Sequence, residues 1–188
     1  MIAKLFAKRP GMLFSALLLA GLSLLLAAES QATIMRYLEV EDLSRISSDV
    51  FSGQVLSTRT YWNQERTKIF TAVEVQIQES FKGTAQAGEV VTITQLGGTK
   101  DGVTTDFVGR PDFAVGESVV LFTTRRGRAS LYVVALKQGK MRVEGEEVVR
   151  DFSGVTLVDK AGGQIRPMEP KRRRYTMREL RRRIAAVK

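Results

Sequence analysis

The residues able to do chemistry in this chain are few in kind. Its 188 residues include no His and no Cys, which removes Ser-His-Asp and Cys-His nucleophile systems, Cys/His zinc sites, thiolate-ligated or c-type haem and every disulfide. Carboxylates, Ser, Lys and Tyr remain. Asp101, Asp106 and Asp112 are spaced five and six apart, unlike the alternating ligands of a calcium loop, and read as acids of a solvated connection. Gly97-Gly98 and Gly139-Lys140 do not fit the phosphate-loop pattern G-x-x-x-x-G-K-[ST], and Gly97-Gly98 reads as a turn after a strand. No Ser is marked above the others as partner of a Lys. The expectation is a non-enzymatic protein with no catalytic residue, no metal and no cofactor, so the search moves to residues that meet a partner. Tyr61 and Trp62, the latter the one Trp of the chain, stand in a polar stretch between two strands. They read equally as a partner-binding loop tip and as a cover folded over the end of the domain. Lys171, Arg172, Arg173 and Arg174 form a run able to contact anions. Only Tyr175 accompanies them, so recognition of single-stranded nucleic acid by stacking is poorly supported.

The net charge of +9 is unevenly placed. Residues 1–32 carry 3 basic and 1 acidic side chain, residues 33–163 carry 16 and 17, and residues 164–188 carry 10 and 2. A near-neutral middle thus lies between two cationic ends. At the first end, Lys4, Lys8 and Arg9 precede an apolar run from Met12 to Ala28, and Ser30-Gln31-Ala32 supplies a small-x-small site. This is the pattern of a secretory signal peptide cleaved after Ala32, leaving Thr33 as the first mature residue and the domain periplasmic or extracellular. This 17-residue run also approaches the length of an uncleaved anchor, which would hold the domain on the same side of the membrane. With no Cys after the apolar run, lipoprotein attachment is excluded.

The elements that must position these residues follow from periodicity. Leu38, Leu43 and Ile46 predict a short helix over Glu39–Ser47. Then the period changes to two. Val50–Thr60 is rich in β-formers, and Lys68–Phe81 alternates, with Ile69, Thr71, Val73, Val75 and Ile77 on one face. Glu89–Leu96, a short segment near Thr104–Val108, Glu117–Thr124, Ser130–Lys137, Met141–Glu144, Glu147–Arg150 and Val155–Val158 complete the predicted strands. Such a series in residues 33–163 predicts a mainly β domain, an antiparallel barrel of five to six strands in preference to a sandwich, because closure removes aggregation-prone edges. Residues 164–188 predict a basic linker and a C-terminal helix. Thr176-Met177-Arg178-Glu179 has capping-box spacing, and Met177, Leu180, Ile184 and Val187 fall within about 80° of one another at helical period. The helix is thus basic and amphipathic. It is suited to docking its stripe on the barrel and, alternatively, to meeting an anionic envelope or nucleic acid.

Three stretches carry a resemblance. Ser48-Asp49-Val50-Phe51-Ser52-Gly53-Gln54-Val55, the strand from Phe70 ending in Phe81-Lys82-Gly83, and Phe113–Phe122 followed by Tyr132-Val133-Val134 resemble a netrin-like module. The pattern is similar to the N-terminal domain of tissue inhibitors of metalloproteinases and to secreted bacterial proteins of the same layout. The resemblance spans about residues 45–136 and implies an oligonucleotide/oligosaccharide-binding-type barrel. It departs where the inhibitors begin with a disulfide-pinned Cys that chelates a protease zinc. Here Thr33 holds that place with only its α-amino group to offer. The resulting expectation is an exported, non-enzymatic binding or interaction module with a protein partner. A regulator of a secreted metalloprotease acting through Thr33, and an envelope or nucleic-acid binder acting through the basic helix, stand as alternatives.

Overall fold

The computed structural model describes residues 34–126, 130–161, 164–168 and 172–187. Residues 1–32, read above as a signal peptide, and Thr33 and Lys171 therefore lie outside the described residues. Mainly β, the chain carries one short helix near its N-terminus and one at its C-terminus. In chain order the elements are β1 (Ile34–Arg36), α1 (Val40–Ile46), β2 (Asp49–Trp62), β3 (Ile69–Lys82), β4 (Val90–Leu96), β5 (Gly98–Lys100), β6 (Val103–Thr105), β7 (Ser118–Arg126) and β8 (Ser130–Val133). A single 3₁₀ turn, Leu136–Gly139, leads to β9 (Lys140–Glu144), β10 (Glu147–Arg150), β11 (Thr156–Ala161), β12 (Gln164–Met168), β13 (Arg173–Thr176) and α2 (Met177–Ala185). No helix among the described residues is long and apolar enough to cross a membrane.

Eight strands form the main sheet in the order β13-β10-β9-β7-β2-β3-β4-β8. The pairings return on themselves: β8 runs parallel to β4 at Ile93 and Leu131, and antiparallel to β7 from Thr123–Val133 to Arg126–Ser130. β1, β11 and β12 make a separate three-stranded sheet, and β5 with β6 a small hairpin.

The sheet is buried on both faces where sequence and topology demand it. In β7 Val119, Val120, Leu121 and Phe122 are all fully buried, the continuous apolar run expected of a strand covered twice. Val119 and Leu121 join Phe51, Val55, Val73, Val75, Ile77, Val91, Ile93 and Leu131 on what is here termed the inner face. Val120 and Phe122 join Val50, Met141 and Val148 on the outer face, beneath Val40 and Leu43 of α1 and Leu180 and Ile184 of α2. Both helices thus cover one side of the sheet, and α2 docks the stripe its period marks. Thr176 accepts from the Glu179 amide at 3.1 Å, one half of the anticipated capping box. α1 carries a reciprocal box between Glu39 and Asp42 instead.

The structure departs from the sequence expectation in several places. β1 and β5 are unanticipated, and Tyr61 and Trp62, expected between two strands, are the last residues of β2, paired with Phe70 and Ile69. The strand expected over Ser130–Lys137 ends at Val133, because the chain turns through positive φ at Ala135 and Leu136 into the 3₁₀ turn. The short strand near Thr104–Val108 lies instead at Val103–Thr105, closed onto Gly98–Lys100. The stretch read as linker after residue 163 holds β12 and β13. β13 forms because Tyr175 pairs opposite Val148 and Arg174 opposite Val149, extending the sheet edge with one buried aromatic.

Candidate functional site

Two stretches of the netrin-like resemblance meet in space as a structural clamp. Asp49 is 1 % exposed. Its Oδ2 accepts from Ser48 Oγ at 2.8 Å, and its Oδ1 accepts from the Thr84 amide at 3.0 Å and from Arg125 at 3.2 Å. Burial alone would raise its pKa; these donors outweigh burial and hold the carboxyl below its ordinary value. Gly83 has φ +96°, and a Cβ there would sit 2.4 Å from Asp49 Oδ1, so only glycine fits. Lys82 Nζ donates to the Ser44 and Ser47 carbonyls at 2.6 and 2.8 Å, satisfying the exposed C-terminal carbonyls of α1. These motifs fix α1 to the sheet.

The basic run expected to contact a partner is mostly spent on the protein itself. Arg172 lies 3.5 Å from Asp151, Arg174 contacts Glu147 and Glu144, and Arg173 stacks over Tyr37 with its guanidinium carbon 5.2 Å from the ring centroid. On α2, Arg181 pairs with Glu79, and Arg183 pairs with Glu41 at 2.6 Å and Glu39 at 3.0 Å. The Arg183 contact lowers the Glu41 pKa. Tyr61 and Trp62 belong to another place, the far end of the β2–β3 hairpin. Tyr61 stacks on Phe70 at 6.0 Å, and Trp62 Nε1 donates to Asp101 Oδ2 at 2.9 Å. β13 is separated from β2 in the sheet by β10, β9 and β7, so the two groups do not form one site.

Sequence reasoning missed two clusters. Arg150 is fully buried and has no carboxylate partner among the described residues. It donates to Tyr37 Oη at 3.2 Å and to the Leu38 carbonyl at 3.0 Å, and stacks against the rings of Tyr37 and Phe152. An Arg in a Glu-Val-Val-Arg strand carries no sign of this role. The second cluster is a cavity of about 310 Å³ lined by residues of β2, β3, β4, the β5–β6 hairpin and the segment after it.

The cavity arises from a change of residue type along the inner face. Cross-strand partners share a face, so β2, β3 and β4 stack in layers. Val55, Val75 and Val91 make one layer, then Thr58, Val73 and Ile93, then Thr60, Thr71 and Gln95. Apolar side chains thus give way to hydroxyls and an amide over two steps. The Thr60 and Thr71 hydroxyls donate to the Thr99 and Gly97 carbonyls at 2.8 and 2.7 Å, which holds the β5–β6 hairpin across the end of the strands. Gly98 makes that approach possible: it has φ +132°, and a Cβ would lie 2.7 Å from both Thr60 Cγ2 and Thr71 Oγ1. On the remaining wall Arg110 reaches Asp106 at 3.0 Å and Asp112 at 3.8 Å. Phe113 completes the lining, with Lys140 Nζ 4.7 Å from its centroid. That Lys is in turn held by Glu117 at 2.7 Å; burial lowers the Lys140 pKa, and the Lys140 contact outweighs burial to lower that of Glu117.

Gln95 is the exception in an otherwise satisfied site. It is 7 % exposed, and its Oε1 is buried with no hydrogen-bond partner among the described residues. Buried polar atoms are nearly always partnered. No model of a known protein family and no curated protein matches the chain.

Proposed function

We propose that the protein is an exported, non-enzymatic binding module built on a netrin-like, five-stranded barrel of the oligonucleotide/oligosaccharide-binding type, with its ligand site at one mouth of that barrel. The observation that carries the reading is the circuit of pairings β7-β2-β3-β4-β8 back to β7, combined with an apolar inner layer of Val55, Val75 and Val91 that gives way to Thr60, Thr71 and Gln95 at the end under the β5–β6 hairpin. A barrel of five strands is filled by its own side chains; three Val in one layer and Thr60, Thr71 and Gln95 in another fit a closed apolar plug with an open polar mouth. The parallel contact of β4 with β8 supports the barrel, and the Asp49–Lys82–Gly83 clamp supports the netrin-like reading because it gives the resembling motifs a shared structural task. Export rests on the pattern of residues 1–32, and the non-enzymatic reading on the absence of imidazole and thiol. The ion pairs of Arg174, Arg181 and Arg183 and the burial of Leu180 and Ile184 favour docking of the basic helix over capture of an anionic envelope.

The test has two parts. N-terminal sequencing of protein recovered outside the cytoplasm should begin at Thr33. A fragment screen read by amide chemical shifts should then place its hits around Thr58, Thr71, Gln95 and Thr105. Hits confined to α2, or a cytoplasmic chain beginning at Met1, would contradict the reading.

A further inference from the structure

We propose that residues 110–115 form a lid on the mouth cavity, hinged at Gly109 and Gly116 and latched by Lys140. The inference rests on the reading of the mouth as the ligand site and adds how the deeper layer of that site is reached.

The backbone of the connection between β6 and β7 sets the hinges. The Lys137 amide donates to the Gly109 carbonyl at 2.8 Å, and the Gly116 amide donates to the Val55 carbonyl at 2.8 Å, so both ends are pinned to the rest of the domain. Between those points the backbone bonds only within the connection, among the described residues: the Arg110 amide to the Phe107 carbonyl at 3.3 Å, and the Glu117 amide to the Ala114 carbonyl at 3.1 Å. A segment outside every ladder opens at a lower cost than the sheet that carries it. The two pinned glycines have φ of +89° and +85°, a region closed to most residues, and they mark where the chain can swing.

Side chains hold the segment shut, and Lys140 of β9 gathers most of them. Its Nζ donates to the Asp112 carbonyl and lies 4.7 Å from the Phe113 ring centroid. It also donates to Glu117 Oε1 and Oε2 at 2.8 and 2.7 Å. The same carboxylate accepts from the Ala114 amide at 3.2 Å and from Arg142 at 3.2 Å. One largely buried cation thus ties the lid backbone, the lid aromatic and the residue beyond the second hinge to β9. Arg110 bonds Asp106 and Asp112 of its own connection, which braces the lid without fastening it to the sheet. Behind the lid the layer changes from open to sealed. Thr58 at the rim is exposed, whereas its cross-strand partner Val73 has no exposed surface. Phe113 packs on the apolar cluster that contains Val73 and lines the same cavity, so withdrawing Phe113 uncovers that layer. A wall fastened by side chains alone can be released while the sheet stays whole.

The chain has no Cys, so one introduced thiol is the only target for a thiol reagent. Protein purified from cells expressing all 188 residues, carrying Val73→Cys or Val120→Cys, is treated with methyl methanethiosulfonate at neutral pH and the labelling is followed by mass. Val120 is fully buried on the outer face beneath α1 and α2 and reports opening of the whole fold. Support is labelling of Val73→Cys faster than that of Val120→Cys by about tenfold or more, with a further gain of about fivefold when Lys140→Met is added and no change at Val120→Cys. Equal rates for the two thiols would overturn the proposal, since the cavity would then open only with the fold. So would equal acceleration of both by Lys140→Met, the sign of a merely structural lysine, or acceleration of neither. Should Lys140→Met unfold, Phe113→Ala leaves the Lys140–Glu117 pair in place and gives the same test. No ligand enters this measurement, so it separates the two readings. Fragment hits at the mouth with an inert Val73→Cys keep the site and remove the lid; fast labelling with no hits in the fragment screen keeps the lid and removes the site.

Discussion

Replacing Gln95 by Leu should stabilise this protein. A buried polar atom left without a partner carries a desolvation penalty of about 1–3 kcal/mol, and replacing it by an apolar group of similar size removes that penalty. Gln95 stands in cross-strand register with Thr71 and lies one layer beyond Ile93 on the inner face. Leu there extends the apolar stack formed by Val91 and Ile93. No hydrogen bond is sacrificed, since the side chain of Gln95 has no partner among the described residues. Allowing for imperfect packing, the net gain is about 1–2 kcal/mol. In a domain of this size 1 kcal/mol moves the melting temperature by about 2–4 °C, so the expected rise is about 2–8 °C. Urea and thermal unfolding of the two proteins at pH 7 measure it. Gln95→Glu should do the reverse at pH 7, because it buries a charge beside Asp106 with no cation to spare. A fall of more than 2 °C in Gln95→Leu would refute the reasoning, since Gln95 would then have to hold a hydrogen bond that the cross-strand layers do not provide.

Three other outcomes follow from the same geometry. Asp49→Asn should cost about 1–3 kcal/mol at pH 7, because the carboxylate accepts from Ser48, a backbone amide and Arg125. Its pKa is lowered in the folded state, so the unfolded chain takes up its proton first. The stability that Asp49 supplies is full above the ordinary carboxylate range of about 4 and is lost as pH falls through the depressed folded value. Stability curves between pH 7 and pH 2 should therefore be shallower for the Asn variant. Gly98→Ala should cost about 2–4 kcal/mol from positive φ and the contact at Thr60 and Thr71, and hydrogen exchange should show the β5–β6 hairpin released before the sheet. Leu180→Ala should cost about 2–5 kcal/mol, measured by denaturant midpoint, because α2 is fully docked at that position; a solvent-borne basic helix would lose almost nothing.

Much of this framework was legible in the residues. The strict alternation of Ile69, Thr71, Val73, Val75 and Ile77 gave the inner face of β3, and it already contained the polar step, since Thr71 is the one hydroxyl in that row. The Thr176–Glu179 spacing and the apolar stripe located α2 and the face it docks. What stayed hidden depends on partners distant in sequence. β13 reads as a charged linker because its strand character comes from pairing with β10, which lies 27 residues earlier at Val148 and Tyr175. Arg150 reads as an exposed strand cation because the Tyr37 and Phe152 rings that enclose it are supplied by other segments. Nothing in its own strand marks Gln95 as buried; it lies on the inner face in register with Thr71, whose hydroxyl holds the Gly97 carbonyl at the start of the hairpin segment. Tyr61 and Trp62 drew attention by type, yet their ring stacking and the Asp101 bond are local to the hairpin that carries them.

Only closure of the β7-β2-β3-β4-β8 circuit gives the polar layer a mouth. Nuclear Overhauser contacts between the backbones of Ile93 and Leu131, measured together with amide exchange along β4, test that closure directly. Closure predicts a parallel contact between those two residues and slow exchange at the β4 amides facing β8. Absence of the contact, with fast exchange along that whole edge of β4, would mean an open sheet and would contradict the account.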